Sequence, residues 1–421
     1  MRITIHRGIN QIGGCITEIA TATSKILIDL GHNLPKGDRD SEDEQANPTS
    51  IGELTKDCQA IFYTHYHGDH VDLFKYVPTT VEQYIGATAK LVMQCKNSRL
   101  SKIPIDAPVT PKDLEKLSAF KTYSILKKIT KGDIAITPFM VNHSACDAYM
   151  FLIEADGKRV LHTGDFRGHG HTSKGLVQTI EKYIIKKPID VLITEGTMLS
   201  RPSEKVKSER DLIKDAKLLM HDYKYVFVLC SSTDIDRLAT FHTASKDEKR
   251  SFLCDGYQKE VLDIFSNSIG TKPSLFSFDN TYFYKHKNAD QFETIQKKGF
   301  CMLVRYKQFQ EVKDLLAQLP SEQVYFIYSM WNGYLDGENK KKEYLDLWNL
   351  FDDKHRGRLH TSGHATLETL AEVCNLVNPR TAIIPIHSEF SDKFSQLDIT
   401  KELKEKITLS SCIKDNIQII I

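Results

Sequence analysis

The stretch THYHGDH at residues 64–70 constrains this chain more than any other. It places His65, His67, Asp69 and His70 within six residues, directly after the apolar run AIFYT and before VDLFKYV, which reads as helical. In extended backbone alternate side chains share a side, so His65 and His67 project together, and a turn at Gly68 lets Asp69 and His70 face the same cavity from another angle. Two imidazoles can hold one metal while Asp69 and His70 hold a second. A histidine-rich surface loop is the plain alternative, but this density of ligands on a strand-to-helix turn seldom arises by chance.

Two full sites need more ligands, and other strand ends offer them. His143 follows AITPFMV, Asp165 closes RVLHTGD, and His387 follows RTAIIPI. A lone histidine at a strand end is ordinarily just a hydrogen-bonded residue; together the three complete the count, and the two oxygens of Asp165 suit it to bridge two cations. Histidine and aspartate donors, without cysteine, fit a catalytic site with open positions.

The first 200 residues read as short strands joined by turns, among them CITEIAT, KILIDL, QAIFYT, AITPFMV, YMFLIEA and RVLHTGD, with helices over 111–119 and 176–186. Asp156-Gly157 suits the positive φ of a type I′ hairpin. After residue 204 the rhythm changes to an amphipathic helix over 204–222, the buried run KYVFVLC, the helices DIDRLATFHTAS and QFQEVKDLLAQL, and the run QVYFIYS. That alternation predicts parallel βαβ units. Beyond Gly357 the pattern returns to a strand RLHTS, a helix over 366–377, the strand RTAIIPI and a terminal strand NIQIII. The charge run from Lys36 to Glu44 reads as a solvated loop.

A chain of 421 residues with 41% hydrophobic and 26% charged residues is neither disordered nor fibrous, and its length predicts two domains or one with a large insertion. No run approaches the roughly 20 apolar residues of a membrane span, so no membrane partner and a cytoplasmic location are expected. The nine cysteines form no CxxC pair and are odd in number, which predicts thiols, mostly in the core. With 56 basic against 55 acidic side chains, any nucleic acid must be gripped by a local groove, since the overall field is too weak.

The HxHxDH motif, the later His143, Asp165 in HTGDF and the final His387, with Asp29 in ILIDLG as a supporting residue, resemble the metallo-β-lactamase superfamily. The long interval between Asp165 and His387 resembles the nucleic-acid-processing members that carry an inserted β-CASP domain. ITEGT at 193–197, TSGHA at 361–365 and PIHSE at 385–389 are similar to that group's three motifs, and the RNase J family is the nearest in pattern. The resemblance implies an α/β fold: a metallo-β-lactamase αββα sandwich, residues 1–200 and 359–421, with an inserted α/β β-CASP domain over 201–358. Two departures stand out. Only 34 residues follow His387, so the extra C-terminal domain of bacterial RNase J is expected to be missing, which leaves homo-oligomerisation open, and Ser388 stands where the family usually has glycine.

The implied activity is hydrolysis of RNA by a zinc-dependent phosphodiesterase with two Zn²⁺ per chain, Mn²⁺ being a substitute. His65, His67 and His143 would hold one ion and Asp69, His70 and His387 the other, with Asp165 between them, activating a hydroxide for in-line attack. His364 is the expected general acid, and Glu195, hydrogen-bonded to it, would favour its protonated form; the alternative is a structural ion pair. Ser231, Ser232 and Thr233, between a strand and a helix, together with Ser362 and Gly363, are candidate RNA phosphate-binding residues; simple N-capping by Ser232 or Thr233 is equally compatible. SMWNGY at 329–334 resembles a family turn in which Trp331 or Tyr334 either stacks on a base or packs the insert. Competing readings are a DNA-processing nuclease, which His387 disfavours, a small-molecule metallo-hydrolase of the same fold, and a non-catalytic scaffold. Both end-directed and internal cutting of RNA fit the sequence.

Overall fold

The computed structural model describes residues 1–34, 48–103, 109–269, 274–337, 339–409 and 417–421. The charge run from Lys36 to Glu44 and Cys412 lie outside them. In chain order the strands are β1 (Arg2–Arg7), β2 (Ile16–Ala20), β3 (Lys25–Ile28), β4 (Ala60–Phe62), β5 (Glu82–Gly86), β6 (Lys121–Tyr123), β7 (Ile129–Lys131), β8 (Ile134–Val141), β9 (Ala148–Ala155), β10 (Lys158–His162) and β11 (Val191–Glu195). There follow β12 (Tyr225–Cys230), β13 (Ser251–Cys254), β14 (Thr281–Phe283), β15 (Phe300–Leu303), β16 (Val324–Ser329), β17 (Arg356–Arg358), β18 (Ala382–Ile386) and β19 (Ile417–Ile420).

Among the described residues these strands form three sheets, ordered β19-β1-β2-β3-β4-β5-β6, β18-β11-β10-β9-β8-β7 and β14-β13-β15-β12-β16-β17. Alternation in the first two sheets turns Ile3, Ile5, Ile19, Ile26, Ile28 and Phe62 of one toward Phe151, Ile153, Val160, Val191, Ile193 and Ile384 of the other, so the sheets pack face to face over a common core. Helices cover the outer faces: Ala87–Leu100 shares a core with the first sheet, and Leu367–Val377 shares one with the second. The expected hairpin joins β9 and β10, with Asp156 at φ 51° and Gly157 at φ 70°, the signs a type I′ turn requires.

Strands β11 and β18 are parallel neighbours, with Val191 opposite Ala382 and Glu195 opposite Ile386. The whole third sheet is made of chain that lies between them, and each of its ladders is parallel. Its central strand β12 is buried at all six positions, as a parallel strand covered by helices on both faces must be.

Two elements differ from the sequence reading. The helix expected over 204–222 begins only at Glu209, where Ser208 caps it by accepting from Asp211 N–H. The expected strand RLHTS is replaced by the short β17 followed by an irregular segment over 359–366, because its carbonyls serve side chains: Thr361 O accepts from Arg237, Ser362 O from His169 and Arg167, and Gly363 O from His143.

Candidate metal centre

The second strand layer and the loops of the first meet at one end of the sandwich, where the histidines and aspartates converge. Asp29, just after β3, holds φ 60° and turns its carboxylate inward; it accepts from Thr64 N–H at 2.7 Å and from His70 Nδ1 at 2.8 Å. That bond leaves His70 Nε2 facing the cavity. The same logic orients two more imidazoles, since His143 Nδ1 donates to Gly363 O at 2.7 Å and His387 Nδ1 lies 2.7 Å from Thr197 Oγ1. His387 also has φ 52°, a conformation that costs a non-glycine residue energy and is held here by His387 N–H donating to Gly8 O at 2.7 Å.

Asp165 sits in the middle. Its Oδ2 lies 3.2 Å from His70 Nε2, 3.5 Å from His387 Nε2 and 3.9 Å from His143 Nε2. His387 Nε2 is 3.1 Å from Asp69 Oδ2, and His143 Nε2 is 3.2 Å from His67 Nδ1. Donor atoms of His65, His67 and His143 lie within 4.8 Å of one another, as do those of His65, His70 and Asp165. The structure thus brings together His65, His67, Asp69, His70, His143, Asp165 and His387 around one cavity, with Asp29 behind them.

The electrostatics suit cation binding. Burial, reinforced by neighbouring imidazoles, holds His65 and His143 well below the ordinary histidine value, and burial takes His67 down to about 4, so these three offer lone pairs at neutral pH. Burial opposes ionisation of Asp165, yet the nearby His387 and His70 keep its carboxyl well below the usual range. Buried Nε2 atoms of His65 and His70 and Oδ1 of Asp165 have no hydrogen-bond partner within the protein. Unpaired buried donors of this kind, aimed at one cavity, fit divalent cations.

Close approach of the backbone makes two glycines obligatory. A Cβ on Gly31 would stand 1.6 Å from Asp69 O, and one on Gly13 would stand 2.8 Å from the Asp69 carboxylate, so both loops can lie against the aspartate only without side chains.

Beside the cavity, His364 Nδ1 is 3.0 Å from Glu195 Oε2 and 3.7 Å from Asp165 Oδ2. Glu195, at the end of β11, is fully buried, and its other oxygen accepts from Phe166 N–H at 3.0 Å and Ala365 N–H at 3.3 Å. Ser231, Ser232 and Thr233 form a half-buried turn after β12. Neither Ser232 nor Thr233 caps the following helix Ile235–Asp247: the cap is Asp234, which accepts from Arg237 N–H. Ser362 is buried, with its hydroxyl accepting from His364 N–H and facing Met198 Sδ, while Gly363 contributes the carbonyl that orients His143. Ser388, at the departure from the family motif, is buried and accepts from Phe390 N–H.

Several neighbours were not singled out from the sequence. Tyr66, between two of the histidines, donates to Thr233 O at 2.7 Å and accepts from Cys146 N–H at 2.8 Å, tying the metal-side loop to the turn after β12. Cys15, read as a core thiol, lies with His70 and His387 in a set of donor atoms within 4.8 Å. A fully buried ionic cluster joins the loop after Asp165 to the helices Glu209–Asp222 and Ile235–Asp247. Arg167 reaches Asp236 at 2.9 Å and Glu209 at 3.3 Å, and Arg237 reaches Glu209 at 3.1 Å. Burial pushes Asp234 up to about 6 in this cluster; burial also opposes ionisation of Glu209, but Arg237 and Arg167 hold it down to about 2. The signal available in sequence was DIDR leading straight into LATF, at the start of a helix with an apolar and small-residue run, a place where charges are buried only if paired.

Residues 25–221 match the family model for the beta-lactamase superfamily domain. That match and the paired sheets show a domain of this superfamily over those residues, with the metallo-β-lactamase fold. The chain is similar to ribonuclease J: it is 23% identical over 413 residues to "Ribonuclease J" of Mycoplasma pneumoniae, covering 92% of this chain and 68% of that one. It is 24% identical over 355 residues to "Ribonuclease J" of Mycoplasma genitalium, covering 79% and 58%, so the chain spans less than two thirds of that relative's length. A crystal structure of a protein of unknown function from Enterococcus faecalis V583 superposes with a TM-score of 0.75 at 21% identity, covering 100% of this chain and 99% of that one, and shares the fold. The superfamily and these names support a hydrolase, and the His/Asp set could bind metal. Among the described residues no helix is long and apolar enough to cross a membrane.

Proposed function

We propose that this chain is a metal-dependent phosphodiesterase that hydrolyses RNA, with a β-CASP-like domain over 201–358 inserted into a catalytic domain formed by 1–200 and 359–421, working in the cytoplasm. The observation that carries the reading is the Glu195–His364 pair at 3.0 Å beside Asp165, a proton donor and its partner at the edge of a metal-ligand cavity. A small-molecule hydrolase of this fold needs neither residue.

His65, His67 and His143 would hold one Zn²⁺ and Asp69, His70 and His387 the second, with Asp165 shared and Mn²⁺ as a substitute. Bound ions supply the charge that acidifies water and neutralises a phosphate in the transition state. Asp29, Thr197 and the Gly363 carbonyl fix the imidazole tautomers. His364, its Nδ1 directed at Glu195, presents Nε2 as the atom that protonates the leaving oxygen; Glu195, fixed by two backbone N–H groups, keeps the ring in that orientation. The turn Ser231-Ser232-Thr233, tied to Tyr66, seats a neighbouring phosphate, and Ser362 and Gly363 act through their backbone.

The test is incubation of metal-replete protein with 5′- and 3′-labelled RNA and matched DNA, following product sizes with time. Mononucleotides released from the 5′ end identify an exonuclease and discrete fragments an endonuclease. Intact RNA under all metal conditions would refute the proposal.

A further inference from the structure

Strands β11 and β18 run parallel with Glu195 opposite Ile386, so the loops that leave them travel side by side, one carrying Thr197 and the other His387. Gly196 permits the approach, since a Cβ there would stand 3.0 Å from the Cβ of Ser388. Thr197 is buried in the helical turn Thr197–Ser200, where its backbone carbonyl accepts from Ser200 Oγ at 2.9 Å. Its hydroxyl faces two imidazoles at once. Thr197 Oγ1 lies 2.7 Å from His387 Nδ1 and 3.2 Å from His364 Nδ1, and the two rings are stacked, with centroids 5.2 Å apart and planes inclined by 28°.

A hydroxyl has one proton to give and two lone pairs to receive with. The third neighbour of Oγ1 is the His387 carbonyl oxygen at 3.2 Å, which can only accept, so it takes the Thr197 proton. His364 Nδ1 also faces a carboxylate oxygen, Glu195 Oε2 at 3.0 Å, and therefore carries hydrogen; it claims one lone pair of Oγ1. The remaining lone pair meets His387 Nδ1, which must then carry hydrogen as well. For His387 this leaves Nε2 with its lone pair, beside the carboxylates of Asp69 and Asp165, as a metal ligand requires. For His364 it makes Nε2 the nitrogen that can hand a proton to substrate.

We infer that Thr197 is a positioning residue with two clients: its single hydroxyl imposes the same tautomer on the metal ligand His387 and on the proton donor His364. The His364 half rests on the nuclease reading given above, while the His387 half needs only the metal centre. Thr197 acts on the reaction through the two rings. Without the hydroxyl, His387 Nδ1–H is buried with no acceptor, a state relieved by moving the proton to Nε2 and so giving up the lone pair that a cation needs.

Thr197→Val keeps the volume and removes these hydrogen bonds; Thr197→Ser keeps the hydroxyl. In competition with a chromophoric zinc chelator, Thr197→Val should hold one ion about 10- to 100-fold more weakly and the other as the parent does, and Thr197→Ser should restore the affinity. Long-range ¹⁵N–¹H spectra of zinc-loaded, ¹⁵N-histidine protein should show His387 and His364, identified by their alanine variants, both as Nδ1–H in the parent. At saturating zinc, Thr197→Val should lower kcat on RNA about 3- to 10-fold with KM little changed, and should add no loss when His364 is already alanine. Parent-like zinc affinity in Thr197→Val, or Thr197→Ser as weak as Thr197→Val, would overturn the assignment to the hydroxyl. A parent spectrum with either ring as Nε2–H would overturn it too, and decides the matter even if Thr197→Val does not fold. Intact RNA with a parent that binds zinc and shows both tautomers would instead remove the nuclease reading and leave the His387 half standing.

Discussion

The guanidinium of Arg167, two residues beyond Asp165, pairs at 2.9 Å with Asp236 in the helix Ile235–Asp247, and both side chains are shut off from solvent. Arg167 also donates to Asn142 Oδ1, beside His143, and to Ser362 O, two residues before His364. One planar cation thus connects the segments carrying Asp165, His143 and His364 to the inserted layer. Removing it leaves buried carboxylates without a partner, which costs about 3–5 kcal/mol. Arg167→Met is expected to lower the denaturant midpoint accordingly, and Arg167→Lys, which keeps the charge but loses the fork, to recover only part of the loss. An unchanged midpoint for Arg167→Met would show that the cluster contributes no net stability.

Metal content separates the proposed positions. Elemental analysis of gently purified protein is expected to give about two ions per chain. Asp165→Ala should deplete both and His387→Ala mainly one, because the Asp165 carboxylate lies near His70, His143 and His387 alike, whereas His387 Nε2 is paired with the carboxylates of Asp69 and Asp165 on one side of the cluster. Equal losses in the two variants would contradict the division.

His364→Ala should retain its metal and cleave RNA about 10²- to 10⁴-fold more slowly, the range for one positioned proton donor. On a p-nitrophenyl phosphodiester, whose leaving group needs no proton, the loss should be far smaller. Matching losses on both substrates would assign His364 to phosphate binding instead.

Acid stability reports on Glu209. Its pKa, about 2 in the folded protein, lies below the ordinary 4.5, so the folded state binds fewer protons than the unfolded one between those values. The stabilisation is therefore complete above pH 4.5 and is lost as pH falls toward 2. Asp234, raised to about 6, acts in the opposite sense between pH 4 and 6, so the comparison that isolates Glu209 is wild type against Glu209→Gln. The variant should be less stable at neutral pH, with the gap closing below pH 4.5; a constant gap would mean that the charge is not what Arg237 and Arg167 hold.

Much of this was legible in the sequence because it is local. Strand ends such as HTGD and PIHS, the Asp-Gly hairpin and the alternation after residue 204 each carry their own signal. What could not be read are relations between distant segments. The irregular path over 359–366 defeats a strand assignment because arginine and histidine donors from elsewhere claim its carbonyls. The helix cap falls on Asp234 and not on the preceding hydroxyls, since the turn before it is held by Tyr66 from another layer. Trp331 reads alike as core or as contact residue until Gly333 and Arg201 are seen on its faces.

The adjacency of β11 and β18 bears on how the protein acquires activity as it is made. Their ladder joins chain segments separated by the entire inserted layer, and the Glu195–His364 contact closes a span of 169 residues, so loop-closure entropy places both late in folding. A nascent chain synthesised only through residue 358 holds six of the seven proposed metal ligands, Asp165 among them, but lacks His364 and His387. Under the nuclease reading such a chain is inert toward RNA however well its first sheet has formed. On that reading, a nuclease emerging from a ribosome beside its own message would be kept silent until the last parallel strand docks.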